Sequence, residues 1–171
     1  ACPELELRTS KSESRIKALH GLQDAGVPTF GMLCPVMPHV SPDELDRLID
    51  AIRPEKCEKI WAEPFNDREN WRKVRDCYGT TTRVGRLLTR VYEDDEKSLW
   101  SRHATDLYEQ IYRKAEQGGW SAKLRYLLYE SDISAEDAPR FQNLDVVLLQ
   151  CVPDKSGRSR NPQFANRQIV K

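Results

Sequence analysis

Between Arg15 and Asn66 the chain carries two successive helix–strand units, and each strand runs out into polar residues. Ser12 to Ala25 reads as a helix. Ile16, Leu19, Leu22 and Ala25 recur at three-residue spacing on one face, Ser12 or Ser14 can cap its start, and Gly26 can take the left-handed position after its end. Pro28 to Met37 follows as a strand broken by Pro35 and Pro38, apolar on both faces like a central parallel strand covered by helices. Ser41-Pro42-Asp43-Glu44 sets a capping serine, a first-turn proline and a glutamate at the third helical position, so a second helix starts there. Leu45, Leu48, Ile49 and Ile52 then face the core, and Pro54 stops the helix. Lys59 to Glu63 is the second strand, leading directly into Pro64-Phe65-Asn66. The alternating order predicts parallel pairing of the two strands. Parallel α/β architectures place their chemistry beyond the carboxyl ends of the strands, and here those ends carry Cys34, His39, Glu63 and Asn66.

Further along, Asp67 to Tyr78 is helix-compatible, with Trp71, Val74 and Tyr78 on one side, and Gly79 to Thr82 is a break of small residues. A long helix is predicted from about Glu96 to Gln117, its stripe formed by Trp100, Ala104, Leu107, Tyr108, Ile111 and Ala115, with Gly118-Gly119 at its end. Leu124 to Tyr129 and Asp145 to Val152 lean towards strand, separated by an acidic, turn-rich stretch from Ser131 to Pro139. This divides the chain into residues 1–78, a pair of helix–strand units; 79–154, an α/β extension; and a basic tail at 155–171.

Charged residues are abundant, but 27 basic and 27 acidic side chains cancel, so no global field argues for nucleic acid or a membrane. Locally the balance fails. No acidic residue follows Asp154, whereas Lys155, Arg158, Arg160, Arg167 and Lys171 are basic, a pattern of either a solvated tail or a phosphate-contacting arm. The five cysteines are odd in number and form no Cys-x-x-Cys pair, and there is neither a signal peptide nor a long apolar run, so a reduced cytoplasmic setting is expected. The chain opens on Ala1 and reads as a processed or excised piece of something longer.

Several residues bear on chemistry. Cys34 precedes Pro35 in an apolar run, without a nearby histidine, and reads as core packing rather than a reactive thiol. His39 at the strand exit is either a ligand contact or a surface-loop histidine. Glu63 closes its strand, where a carboxylate can accept hydrogen bonds from a ligand hydroxyl or amine, and Asn66 adds a neutral donor and acceptor. The other reading is a carboxylate capping the helix that follows. Arg15 lies in a first helical turn, where the helix dipole disfavours a cation, which invites either a ligand carboxylate or an ion pair with Glu4, Glu6 or Glu13. Thr80-Thr81-Thr82-Arg83 with Arg86 and Arg90 is phosphate-friendly but lacks P-loop glycine spacing. The histidines and cysteines make no standard metal-ligand set.

Taken together, Arg8-Thr9-Ser10, Arg15 through Leu22, Ala25-Gly26-Val27-Pro28, Cys34-Pro35-Val36-Met37-Pro38 and Trp61-Ala62-Glu63-Pro64-Phe65-Asn66 resemble the later half of radical S-adenosylmethionine (SAM) proteins. Within them, the likeness is to the group related to spore photoproduct lyase and called DNA repair photolyase-like. The resemblance covers roughly residues 4 to 70 and rests on the order and spacing of several modest motifs. It implies a partial (βα)6 barrel holding a 4Fe–4S cluster and SAM, whose reductive cleavage yields a 5′-deoxyadenosyl radical. On that basis Arg15, Glu63 and Asn66 are the cofactor-binding candidates, while His39 and Arg83 are candidates for contact with a nucleic-acid or related substrate.

One departure matters most. The family's Cys-x3-Cys-x2-Cys ligand triplet is absent, as is the Gly-Gly-Glu-like segment that follows it in many members. The fold expected is therefore α/β: the C-terminal half of a partial (βα)6 radical-SAM-type barrel with an α+β extension. The partner it lacks would be the N-terminal half, no catalytic residue can be assigned, and the piece is expected to be inactive alone. Half a barrel leaves an unpaired strand edge, so it should also be poorly stable or associate. Two other readings stand beside this one: a non-catalytic α/β module binding nucleic acid or protein through Arg83, Arg86 and the tail, and a metal-free (βα)-barrel lyase or aldolase. The last lacks a Schiff-base lysine at a strand end. Anaerobic reconstitution of this chain with iron and sulfide should give no charge-transfer absorption of a 4Fe–4S cluster, because such clusters need grouped thiolates. A stoichiometric cluster lost on replacing Cys34 and Cys57 would overturn the truncated-barrel reading.

Overall fold

A computed structural model describes residues 10–66, 70–128, 133–142 and 147–150, the last four through their backbone. The lead-in at 1–9, the residues at 67–69 and the basic tail lie outside the described residues. In chain order the elements are α1 (Ser12–Asp24), β1 (Phe30–Val36), α2 (Pro42–Ala51), β2 (Lys59–Pro64), α3 (Trp71–Tyr78), α4 (Arg83–Tyr92), α5 (Lys97–Gln117), β3 (Leu124–Leu128), α6 (Ala138–Gln142) and β4 (Val147–Gln150). The strands form one sheet in the order β1-β2-β3-β4, and every neighbouring pair is parallel. The parallel pairing expected of the first two strands is present, with Met32 opposite Trp61 and Leu33 opposite Ala62. The sheet also runs across residue 79, where the sequence suggests a boundary, because β3 and β4 continue it.

Local chemistry explains the helix starts. The Ser41 side chain accepts the Glu44 N–H while the Glu44 carboxylate accepts the Ser41 N–H, a reciprocal capping box with Pro42 in the first turn. By contrast, neither Ser12 nor Ser14 caps α1: its N-cap is Lys11, with no side-chain hydrogen bond. Gly26 takes the left-handed position after α1, at φ 73°. The arginine-rich stretch with the phosphate-friendly composition is a helix, α4. The Thr82 hydroxyl caps it by accepting the Gly85 N–H at 3.0 Å. Gly85 is required there, because a Cβ would sit 2.2 Å from the Gly79 carbonyl oxygen of the preceding turn.

Burial alternates along the strands and defines the layers. Gly31 and Leu33 of β1, Ile60 and Ala62 of β2, and Leu124 and Tyr126 of β3 are buried. They pack against Leu45 and Ile49 of α2 and against Ala104, Leu107, Tyr108 and Ile111 of α5. Fully burying one such side chain contributes about 1.5–3 kcal/mol, so this layer carries most of the stability. On the opposite face Phe30 and Met32 of β1 are exposed, Trp61, Glu63 and Arg125 are half-buried, and Leu127 of β3 is buried, so that face is open chiefly at β1. The expectation that β1 is apolar and covered on both faces is therefore wrong. Among the described residues it is an edge strand, open on the face of Phe30 and Met32, and it buries Gly31, Leu33 and Val36. Two other apolar assignments also fail: Leu22 of α1 and Leu48 of α2 are about half exposed, because neither helix is flanked by an element on that side among the described residues.

The His103 imidazole on α5 donates its Nε2–H to the Val36 carbonyl at 3.2 Å. Burial pushes its pKa down to about 4, against smaller opposing effects of that bond and of Asp106. Since the native pKa lies below the unfolded one, the unfolded state takes up the proton first as pH falls. Stability should therefore drop between about pH 6.5 and pH 4, by on the order of 1–3 kcal/mol. His39, also pushed down by burial, adds to the same window. Urea midpoints at pH 7.5 and 5 should differ clearly in the parent chain and less in His103→Gln; equal differences in both would refute the assignment.

Candidate functional site

The exits of β1 and β2 are tied to each other and to α5. The Phe65 N–H donates to the Val36 carbonyl at 2.8 Å, and the same carbonyl receives His103. The Phe65 carbonyl in turn accepts the Trp100 indole N–H at 2.7 Å and the Tyr92 hydroxyl at 3.1 Å. The Phe65 ring meets Tyr92 edge to face at 5.9 Å, and Trp71 stacks on Tyr92 at 5.8 Å. The turn leaving β2 is thus held by buried Trp71 of α3 and Trp100 of α5 and by partly buried Tyr92 of α4.

On this frame stand Glu63, half-buried, and Asn66, which is buried. The Asn66 amide donates to Glu63 Oε1. The two share a cavity of about 170 Å³ with Pro35, Phe65 and Asn70. The N-cap position of α3 is Asn70, whose side chain makes no capping hydrogen bond. Beneath the cavity the Cys34 thiol donates to the Trp61 carbonyl at 3.5 Å. Burial, and secondarily the Glu63 carboxylate, push its pKa up to about 12. A thiol whose pKa is raised so far is a poor nucleophile near neutrality. The arrangement offers a carboxylate acceptor beside two amides, suited to receiving a hydroxyl or ammonium group rather than to covalent chemistry.

The other candidates fall elsewhere. Arg15 is exposed in the first turn of α1, with a guanidinium nitrogen 3.4 Å from Ser12 Oγ, and it does not line this cavity. His39 packs edge-on against Tyr78 at 5.1 Å, and its Nδ1 is buried with no hydrogen-bond partner among the described residues. Arg83 is close enough to act on its pKa, so His39 and Arg83 share a neighbourhood, but neither reaches the Glu63 cavity. Of the remaining phosphate-patch residues, Arg86 donates to the Thr81 carbonyl and Arg90 pairs bidentately with Glu96 at 2.7 and 2.9 Å. Sequence reasoning took Trp100 as core and passed over Tyr92 and His103. The available signal was polarity: a buried indole N–H, phenol or imidazole normally seeks an acceptor.

A second, larger cleft of about 310 Å³ lies between α2, α4 and α5, walled by Leu45, Leu87, Val91 and Leu107 and edged by His103 and Asp106. Among the described residues no group of three or more histidine, cysteine or acidic side chains could hold a metal, and no helix is long and apolar enough to cross a membrane. Cys34 and Cys57 are free thiols, whereas Cys77 is disulfide-bonded. No protein-family model, no curated protein and no solved structure matches the chain.

The double acceptance at Phe65 makes a prediction. Tyr92→Phe or Trp100→Phe alone leaves the buried carbonyl one donor and should cost about 0.5–1.5 kcal/mol, plus packing for the tryptophan. The double variant orphans the carbonyl and should lose about 1–3 kcal/mol more than the sum. Urea unfolding of the four proteins measures the coupling, and strict additivity would show that the two bonds act separately.

Proposed function

We propose that this chain is the distal half of a radical SAM enzyme acting on nucleic acid or a related substrate, and that it does not perform the chemistry by itself. One observation carries the reading: a parallel sheet in sequential strand order, its described helices α1, α2 and α5 packed on one face, with Glu63 and Asn66 at the carboxyl edge beside the open face. Sequential, right-handed βα units keep their helices on one side, whereas doubly wound sheets reverse direction and cover both. A one-sided sheet is compatible with the wall of a barrel or partial barrel, and on this reading its open face is the barrel interior. The partner that would cover that face is the missing half of the barrel.

The donors described here do not fit a 4Fe–4S cluster, so no step runs through one in this chain. SAM, where bound in such enzymes, supplies a 5′-deoxyadenosyl radical. The residues here bind and orient. Glu63 accepts a hydrogen bond from a ligand hydroxyl or ammonium, Asn66 fixes the carboxylate rotamer, and Cys34 stays protonated and inert. Arg15 would hold the SAM carboxylate, and His39 with Arg83 would meet the substrate further along the rim.

In the longer parent, Glu63→Gln should weaken SAM binding or turnover by roughly 5- to 150-fold, the equivalent of about 1–3 kcal/mol for one ligand hydrogen bond to a charged group. Its melting temperature should stay close to that of the parent. Unchanged binding and turnover with a lowered melting temperature would make Glu63 a structural residue and refute the site.

A further inference from the structure

Positive charge gathers on the helical hairpin α3–α4. Between Asn70 and Tyr92 the sequence has six basic residues and one acidic residue, Asp76, although the whole chain is neutral. Two of the six are already paired. Arg75 meets Asp76 at 2.8 Å and Glu93 at 3.0 Å, and Arg90 holds Glu96 bidentately. The other four, Arg72, Lys73, Arg83 and Arg86, are exposed, and none pairs with a carboxylate among the described residues. Arg72 lies over the Trp71 ring at 4.6 Å and Arg86 donates to the Thr81 carbonyl, contacts that leave the charge uncancelled. All four stand in the first turn of their helix, and neither turn contains an acidic residue. There the helix dipole adds to the positive charge instead of offsetting it.

The layout of these cations limits what can answer them. The hairpin is antiparallel: Trp71 at the start of α3 stacks on Tyr92 at the end of α4, and the Thr82 N–H closes the turn on the Gly79 carbonyl at 3.1 Å. Trp71 and Val74 of α3 and Gly85, Leu88 and Val91 of α4 are buried, so the cations project from the outer sides. Arg72 with Lys73 therefore stands one helix length from Arg83 with Arg86, roughly 12 Å for the eight residues of α3. A lone phosphate can reach one set but not both, whereas a chain of repeating negative charge can reach both. The basic tail cannot supply that charge, since no acidic residue follows Asp154. A protein partner would find no apolar centre here, because the exposed large apolar side chains, such as Phe30, Met32 and Leu48, lie on other elements. Trp71 is buried and Tyr78 and Tyr92 are partly so, which leaves no open ring on which unpaired bases could stack. The ligand complementary to this surface is a phosphate backbone, met by charge and not by base.

We propose that the outer side of the α3–α4 hairpin binds the phosphate backbone of double-stranded nucleic acid, without regard to base sequence, through Arg72, Lys73, Arg83 and Arg86. This rests on the nucleic-acid part of the function proposed above and assigns its backbone contact. It makes no use of SAM or of the Glu63 cavity.

Fluorescence anisotropy of the full chain with a short labelled duplex of mixed sequence, at KCl from about 20 to 200 mM, tests it. The logarithm of the binding constant should fall linearly with the logarithm of salt concentration. Each phosphate contact contributes about 0.9 to that slope, so Arg83→Gln should remove about 0.9 and Lys73→Gln/Arg83→Gln about twice as much. The double variant should bind at least ten-fold more weakly at low salt, and its melting temperature should not fall, since both side chains are exposed. Lys56→Gln also removes one charge, but Lys56 pairs with Asp24 at 2.6 Å beyond the amino end of β2, and this variant should bind as the parent does. The tail is present in every protein compared, so the differences report the hairpin. Matched DNA and RNA duplexes should both bind, and the tighter of the two identifies the source. No duplex binding at the lowest salt, an unchanged slope in the double variant, an equal loss in Lys56→Gln, or polyglutamate bound as tightly as the duplex would each overturn the proposal. An unchanged slope would leave the nucleic-acid reading standing on another surface, and none of these results touches SAM binding by the longer parent, which Glu63→Gln tests.

Discussion

One turn of α5 organises this molecule. Trp100 donates to the Phe65 carbonyl, Ser101 donates to the Asp137 carboxylate at 2.7 Å, Arg102 pairs with Asp137 and Glu136 at 3.0 Å, and His103 donates to the Val36 carbonyl. Successive residues of a helix point about 100° apart, so four neighbours in sequence reach three separate segments: the exit of β1, the exit of β2 and the turn before α6. Each bond to a buried acceptor is worth only about 0.5–1.5 kcal/mol net, but leaving the acceptor bare costs about 1–3 kcal/mol. The value of the arrangement is therefore geometric. It fixes two strand ends against one rigid rod, and the cavity under Glu63 inherits that rigidity. Asp137 shows how strongly the turn is held. Burial raises the pKa of this carboxylate, yet the hydroxyls of Ser101 and Ser134 and the guanidinium groups of Arg102 and Arg140 outweigh it and hold the group below its ordinary value.

The same layering leaves the β1 end of the other face without a cover among the described residues. With α2 and α5 filling one face, nothing among the described residues fills the other over Phe30 and Met32. On the reading proposed above, this face is the inner wall of a partial barrel, and the polar rim such a wall needs would come from Glu63 and Asn66. The one-sidedness itself follows from winding a parallel sheet in sequential order, which keeps the connecting helices on one side.

What the sequence made legible were the features written in a single segment. The Ser41–Glu44 capping box, the stripe of α5 and the order of helix and strand are local patterns, and the folded chain keeps each of them. What it hid depends on neighbours. The β1 run looks like a central strand because Phe30, Met32 and Val36 are apolar, and only its position at the end of the sheet makes half of it an exposed edge. Arg83, Arg86 and Arg90 obscured α4, since their charge suggested a ligand patch, while Val84, Leu87, Leu88 and Val91 carried the helical periodicity. The position of Glu63 and Asn66 at the exit of β2 was legible from the strand pattern alone. Their support from Tyr92 and Trp100 was not, since nothing in a sequence says which carbonyl a distant donor will reach.

The His103 bond to Val36 also separates two ways in which acid could loosen this frame. The Nε2–H donates to the carbonyl whether or not Nδ1 carries a proton, so protonation does not delete the bond; a charged donor would strengthen it. What protonation adds is a cation in a site lined by Val36, Leu99, Trp100 and Leu107. Asp106 is the acidic group acting on the imidazole, and its effect is smaller than that of burial. The depressed pKa therefore measures desolvation winning over both a hydrogen bond and a neighbouring carboxylate. Acid would weaken the frame by charging its interior while its contacts remain in place. Replacing the imidazole with a neutral amide of similar reach should for that reason keep the strand exits tied while removing the sensitivity to pH.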